Sequence, residues 1–219
     1  MRVESIQVGQ PKPMPVGVPG TEPAPRLLTT AIWKEPVAGP VRLDVDGLPG
    51  DAQADRKHHG GLWRAVLMYP AEHYPRWRGE WGREDVGPGG FGENLTVSGV
   101  DEFGACLGDR YRIGEALLEV TSPRSPCHVV ARRHGIKDLV ATIRANHRHG
   151  WYLRVLEPGT VEAGQEMGLE ARPHPEWSIA RAADVKWDAE HRTEEATLLA
   201  GCPALIPEWR DELAVQLRR

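Results

Sequence analysis

Residues 108–127, "GDRYRIGEALLEVTSPRSPC", decide the fold. Two runs of alternating strand formers, "RYRI" and "ALLEV", flank Gly114, the pattern of a β-hairpin. A strand that merely turned would end on Gly, Asn or Asp. This one ends on Pro123 and Pro126 around Arg124 and Ser125, followed at once by Cys127. The prolines restrict the backbone and so the position of the sulfur that follows. Arg124 favours the thiolate form of Cys127, the species that attacks or ligates a soft metal. The competing reading is a small buried hydrophobe, the usual state of a cysteine outside a disulfide. Spacing alone leaves the two level. Cys106 in "FGACLGD" and Cys202 in "GCPAL" read as packing residues.

Working outward, "VESIQVG", "AIWKEPV", "PVRLDVDGLPGD" and "RAVLMY" read as further short strands. Residues 9–25 hold six prolines and read as a loop. "PAEHYPRWRGEW" reads as a short helix entered at Pro70 and disturbed at Pro75, and "VGPGGFGENLTV" as a Gly-rich loop running into a strand. Ile136, Leu139, Val140 and Ile143 fall on one helical face. "WYLRVLEPGTVEAGQEMGLEA" then returns to strand, turn and strand. From Pro173 three helical patterns follow: Ile179, Ala183 and Trp187; a segment capped by Thr193 and stopped at Gly201; and Trp209, Leu213 and Leu217 after Pro207. The expected class is α+β, a mainly-β, barrel-like domain over 1–172 with interposed helices, and a C-terminal three-helix bundle over 173–219 that packs on the barrel or on another subunit.

The 219 residues carry 40% hydrophobic and 26% charged side chains and a net charge of −4, so no basic field points to nucleic acid or a membrane surface. No apolar run approaches the ~20 residues of a membrane span. "MRVESIQVGQPKPMP" has no apolar core of a signal peptide. Three cysteines without a CxxC pair fit a reduced, cytoplasmic setting.

Three other polar clusters fall where a scaffold places reactive groups. "GDAQADRKHHGG", residues 50–61, sets Asp51, Asp55, Arg56, Lys57, His58 and His59 beside two glycines. It is either an anion cradle or a solvated charged turn. Adjacent histidines point to opposite faces of a strand, and no HExxH or CxxC accompanies them, so zinc held by His58, His59 and His73 has weak support. "YPAEHY" places His73 between Tyr69 and Tyr74, a packed residue more often than a ligand. "FGENL" offers Glu93 and Asn94, the latter either an edge for a heterocycle or an Asx turn.

Taken in order, "GDAQADRKHHGG", "YPAEHY", "FGENLTV", "LGDRYRIGEALLEV" and "SPRSPC" resemble the MOSC domain in its YiiM-like branch, over about residues 40–172. "GWYLRVLEPGTV" and the helical tail are similar to that branch too. The resemblance implies a β-barrel that binds molybdenum cofactor, with Cys127 giving the metal a protein thiolate. It implies reduction of N-hydroxylated compounds (hydroxylaminopurines, hydroxylamines, amidoximes) to N–H. Arg56, Lys57, His59, Asn94 and Arg124 are the expected cofactor partners, and His59 or Asp55 the expected proton donor. The chain has no dinucleotide fingerprint and too few cysteines for a Cys-ligated iron–sulfur cluster, so electrons must come from a separate reductase. A homodimer stays open. The alternative function is a cofactor or sulfur carrier without turnover.

Overall fold

The computed structural model describes residues 1–16, 26–55 and 60–217. The strands are β1 (Arg2–Val8), β2 (Lys12–Val16), β3 (Arg26–Thr30), β4 (Glu35–Pro36), β5 (Val41–Leu43), β6 (Val66–Pro70), β7 (Leu95–Ser98), β8 (Arg110–Ile113), β9 (Ala116–Pro123), β10 (Trp151–Glu157), β11 (Gly159–Val161) and β12 (Met167–Ala171). The helices are α1 (His73–Trp81), α2 (His128–His134), α3 (Leu139–Asn146), α4 (Ile179–Trp187), α5 (Thr193–Ala200) and α6 (Pro207–Gln216), with a 3₁₀ turn at Leu62–Arg64.

Eight strands form one sheet in the order β12-β8-β9-β10-β6-β7-β1-β4. Its ladders are antiparallel except β6 with β7. The β8–β9 hairpin forms where the alternation places it, turning at Gly114 in the left-handed region (φ 53°). There an added Cβ would also meet the Thr160 carbonyl. Each residue of β9 is buried, as expected of a strand covered on both faces. Glu119 on β9 stands opposite Arg110 and Arg154 in the two neighbouring ladders and binds both, at 2.9 and 2.6 Å. Oppositely charged cross-strand pairs of this kind fix the register.

The barrel-like expectation holds in part: one large sheet forms with helices around it, and no closed barrel is found among the described residues. Among the described residues β12 pairs with β8, and β1 meets the start of β12 through the single bridge Arg2–Glu166 and three backbone bonds, Val3 N to Gln165 O, Gly164 N to Val3 O and Met167 N to Met1 O. No strand ladder joins β1 to β12 among the described residues.

Two local expectations also change. The proline-rich stretch is not all loop: Lys12–Val16 pairs with Arg26–Thr30. Pro13 and Pro15 share one parity, so every N–H this strand can give to the ladder comes from Lys12, Met14 and Val16. Pro75 does not disturb α1, because it sits in the first turn, where its missing N–H would have had no partner. The segment after Cys127 holds an unforeseen helix, α2, closed by left-handed Gly135.

The tail helices join the sheet's own core. Ile179, Val185, Leu199, Trp209 and Leu213 pack in one apolar cluster with Val3, Leu107, Leu118 and Val120. Backbone bonds from Ile179 to Ala105 and from Ile206 to Thr121 tie them to the sheet. A second cluster, containing Tyr69, Trp77, Phe91, Val130 and Ile143, binds α1, α2 and α3 together. The candidate site opens beside this second cluster.

Candidate functional site

Strand β9 delivers the chain to Pro123, which pairs with Trp151 on β10. The next residue, Arg124, donates its backbone N–H to the Gly150 carbonyl at 3.0 Å. Gly150 must be glycine: its φ is 73°, and an added Cβ would collide with the Met68 carbonyl oxygen. Behind it, fully buried Glu102 accepts the Gly150 N–H (2.7 Å) and a bond from His73 Nε2 (2.8 Å). Burial pushes the Glu102 carboxyl up, but His73, His149 and the Gly150 N–H outweigh it and leave the carboxyl below its ordinary value. A buried carboxylate thus fixes the peptide that fixes Arg124.

Cys127 follows in extended conformation and precedes α2 directly. It is partly exposed and in no disulfide. Helix α2 is fastened at its far end. Arg133 donates to the carbonyls of Ile32 and Gly89, and its guanidinium lies 4.6 Å over the Trp33 ring. His134 Nε2 binds the Gly90 carbonyl at 2.8 Å, and burial pushes its imidazole down to about 4, so it is neutral at pH 7. The loop at 87–93 is held from the other side by Glu93, whose carboxylate accepts from the Tyr74 hydroxyl, Gly89 N, Phe91 N and the Thr96 hydroxyl. Glu93, quoted in "FGENL" beside Asn94, is the anchor of that loop.

Arg124, Cys127, Asn94 and Asp55 line one pocket of about 230 Å³. Leu28, Ile32, Phe91 and Val129 supply an apolar side; Lys34, Asp51, Arg64 and Tyr152 supply a polar one. The buried-hydrophobe alternative for Cys127 does not describe a partly exposed residue on a pocket wall. Arg124 is 5% exposed, and its Nη1 is buried with no hydrogen-bond partner among the described residues. A buried guanidinium nitrogen without an acceptor is costly, and an anionic ligand would satisfy it. The Asn94 amide is largely committed: Oδ1 accepts from Leu67 N (3.1 Å) and Nδ2 donates to the Gln7 carbonyl (3.3 Å). It stitches β6 to β1 and keeps one N–H for a ligand.

Arg56, Lys57, His58 and His59 lie outside the described residues. His73 is not in the pocket. It is committed to Glu102 and packs edge-on against Tyr69, and no group of three metal-ligating side chains occurs among the described residues. Nor is any described helix long and apolar enough to cross a membrane.

Sequence reasoning missed Lys34, Arg64, Tyr152 and Glu102. Lys34 Nζ and Asp51 form a nearly buried ion pair on the pocket wall, and Asp51 also accepts Gly9 N at 2.8 Å. A single Lys, Arg or Tyr in a strand-rich sequence carries no local signal. Gly135 after a basic last turn was a usable signal for α2.

The MOSC domain family model matches residues 55–168. The chain is 36% identical over 209 residues to the uncharacterized protein YflK of Bacillus subtilis, covering 95% of this chain and 90% of that protein. It is 39% identical over 184 residues to a protein named "Reductase" from Gibberella moniliformis, covering 81% of this chain and 32% of that protein. The crystal structure of YiiM from Geobacillus stearothermophilus superposes with a TM-score of 0.80 at 33% identity, covering 99% of this chain and 98% of that one. Motifs, fold and relatives agree, and the chain is a YiiM-like member of the MOSC domain family.

Proposed function

We propose that this pocket binds molybdenum cofactor and that the protein reduces N-hydroxylated compounds to the corresponding N–H compounds. The observation that carries the reading is that Cys127 lines the same pocket as Arg124, whose buried Nη1 has no acceptor among the described residues. The residues present fit the group. A thiolate is a soft donor suited to molybdenum, and a buried guanidinium suits a phosphate or a polar ring oxygen. When bound, the cofactor would supply the two-electron redox chemistry that no side chain can.

The chain's own part is binding, orientation and proton supply. Cys127 ligates the metal, its backbone held between Pro126 and α2. Arg124 holds an anionic or polar group of the cofactor, and the remaining N–H of Asn94 reads a ring edge. Leu28, Ile32, Phe91 and Val129 give a planar heterocycle an apolar wall and keep water from it. The overall change is N–OH plus two electrons and two protons to N–H plus water. Asp55, on the pocket rim, is the described candidate to protonate the departing oxygen, and His59 the other. Electrons come from a separate reductase, and the reduced thiol chemistry suits the cytoplasm. The name of the fungal relative supports a redox role.

The test is expression in a host that makes the cofactor, followed by molybdenum per chain and turnover of 6-hydroxylaminopurine, for wild type and Cys127→Ser. Molybdenum and turnover in the wild type, with turnover lost in Cys127→Ser, are expected. Equal turnover in both would sink the role of Cys127. A persulfide on Cys127 without turnover from any electron donor would favour the carrier reading instead.

A further inference from the structure

The pocket's charges do not cancel evenly. Among the described residues the lysine and arginine side chains lining it are Lys34, Arg64 and Arg124. Lys34 is neutralised within the wall by Asp51, both nearly buried. Among the described residues, buried Arg124 Nη1 has no acceptor. Arg64 is bonded to Glu208 of α6 (Nη1 to Oε1, 3.1 Å), yet Glu208 does not line the pocket and is half exposed. The carboxylate grips one edge of the guanidinium from outside. The Arg64 side chain is itself only 9% exposed, and its guanidinium lies 6.0 Å from the centre of the Tyr152 ring. Burial pushes the Tyr152 hydroxyl up, while Arg124 first and Arg64 second pull it down, and all three residues line the same pocket. Arg64 and Arg124 thus share the pocket with Tyr152, against Glu208, which lies outside it and is screened by solvent, and Asp55 on its rim.

We infer that Arg64 and Arg124 form a two-arm clamp for a phosphate group across Tyr152, and that the C-terminal helix positions one arm through Glu208. Arginine presents several N–H donors in a rigid fork, so one edge can hold Glu208 while another meets a phosphate oxygen. Glu208 is a positioning residue. This inference deepens the cofactor reading and rests on that reading for the identity of the ligand, but anion binding by the pocket is testable without it.

The first arm of the test uses protein made without cofactor and inorganic pyrophosphate as the probe, with affinity read by calorimetry. Arg64→Met is expected to weaken binding at least tenfold, and Arg64→Lys several-fold, since it keeps the charge and loses the fork. Arg64→Lys also serves if Arg64→Met does not fold. Glu208→Ala is expected to weaken binding about threefold in the wild-type background and not at all beside Arg64→Met, while Glu208→Gln, which keeps the acceptor, stays within about twofold of wild type. Unchanged affinity in both Arg64 variants, or an equal Glu208→Ala loss in both backgrounds, would overturn the clamp. The second arm identifies whose phosphate is held. If it is the cofactor's, Arg64→Met lowers molybdenum per chain after cofactor-replete expression. If it is the substrate's, molybdenum is kept, and KM rises for the 5′-monophosphate of hydroxylaminopurine riboside but not for the free base. Absence of molybdenum from the wild type would refute the proposed function and leave the pyrophosphate result standing.

Discussion

Glu93→Gln tests whether a single buried carboxylate shapes the pocket wall. Glu93 has no solvent exposure. One of its oxygens accepts three bonds, from the Tyr74 hydroxyl, Gly89 N (2.6 Å) and the Thr96 hydroxyl (2.9 Å), and the other accepts Phe91 N at 3.1 Å. The best placement of glutamine keeps its carbonyl on the first three donors. Its NH₂ then faces Phe91 N–H, donor against donor. That loses one charge-assisted bond, worth about 1.5–3 kcal/mol, and weakens three others by roughly 0.5–1 kcal/mol each. Relief from burying a charge offsets part of this, while the largely buried Arg133 loses the carboxylate that most favours its charge. The net expectation is a destabilisation of about 3–5 kcal/mol. Urea unfolding followed by tryptophan fluorescence should show it as a midpoint lowered by roughly 1–2 M at an m of about 2–3 kcal/mol/M. Because the 87–93 loop carries Phe91 into the pocket, molybdenum retention should fall as well. A cost below about 1 kcal/mol would refute the claim that Glu93 anchors the loop.

Three further outcomes are expected. His134 binds protons in the unfolded chain near its ordinary 6.5 but in the folded chain only at about 4. The unfolded state therefore holds more protons between those values, and stability, complete above pH 6.5, falls by up to ~3 kcal/mol as pH drops to 4. Denaturation midpoints measured across that window should show the slope in the wild type and lose it in His134→Gln; an equal slope in both would exclude His134 as its cause. Glu102 acts lower on the scale: its depressed carboxyl gives stability that is present above its ordinary value and is lost as pH falls through the folded one, so Glu102→Gln should flatten the acid limb below about pH 4.5. Gly150→Ala forces a Cβ against the Met68 carbonyl at a left-handed position, and should cost about 2–4 kcal/mol and displace Arg124, read as lost stability and lost pyrophosphate binding together. Wild-type behaviour of Gly150→Ala would show that this peptide does not set Arg124.

Strand periodicity and turn chemistry are local, and they made the β8–β9 hairpin, β10 and the tail helices legible. Pro207 opens α6 as its fixed φ dictates, and α5 ends at Gly201, although Gly201 stays in the right-handed region (φ −79°). What stayed hidden depends on partners distant in sequence. Pro13 and Pro15 read as loop because a strand's tolerance of proline depends on which edge of the ribbon lies unpaired. Whether the sheet closes could not be read, because short alternating strands do not reveal where a ladder stops. At the site, "SPRSPC" stood out because two prolines and a cysteine are unusual neighbours, and its Arg124 and Cys127 line the pocket. Arg64 could not, because its role comes from Tyr152 on β10 and Glu208 on α6, 88 and 144 positions away. Asn94 was legible as a polar edge, but its commitment to Leu67 and Gln7 was not.

The central claim is that Cys127 gives its sulfur to a molybdenum held in this pocket. Molybdenum K-edge X-ray absorption on cofactor-replete protein tests it most directly. The account predicts one more sulfur around the metal in the wild type than in Cys127→Ser. The same sulfur count in both proteins would contradict it.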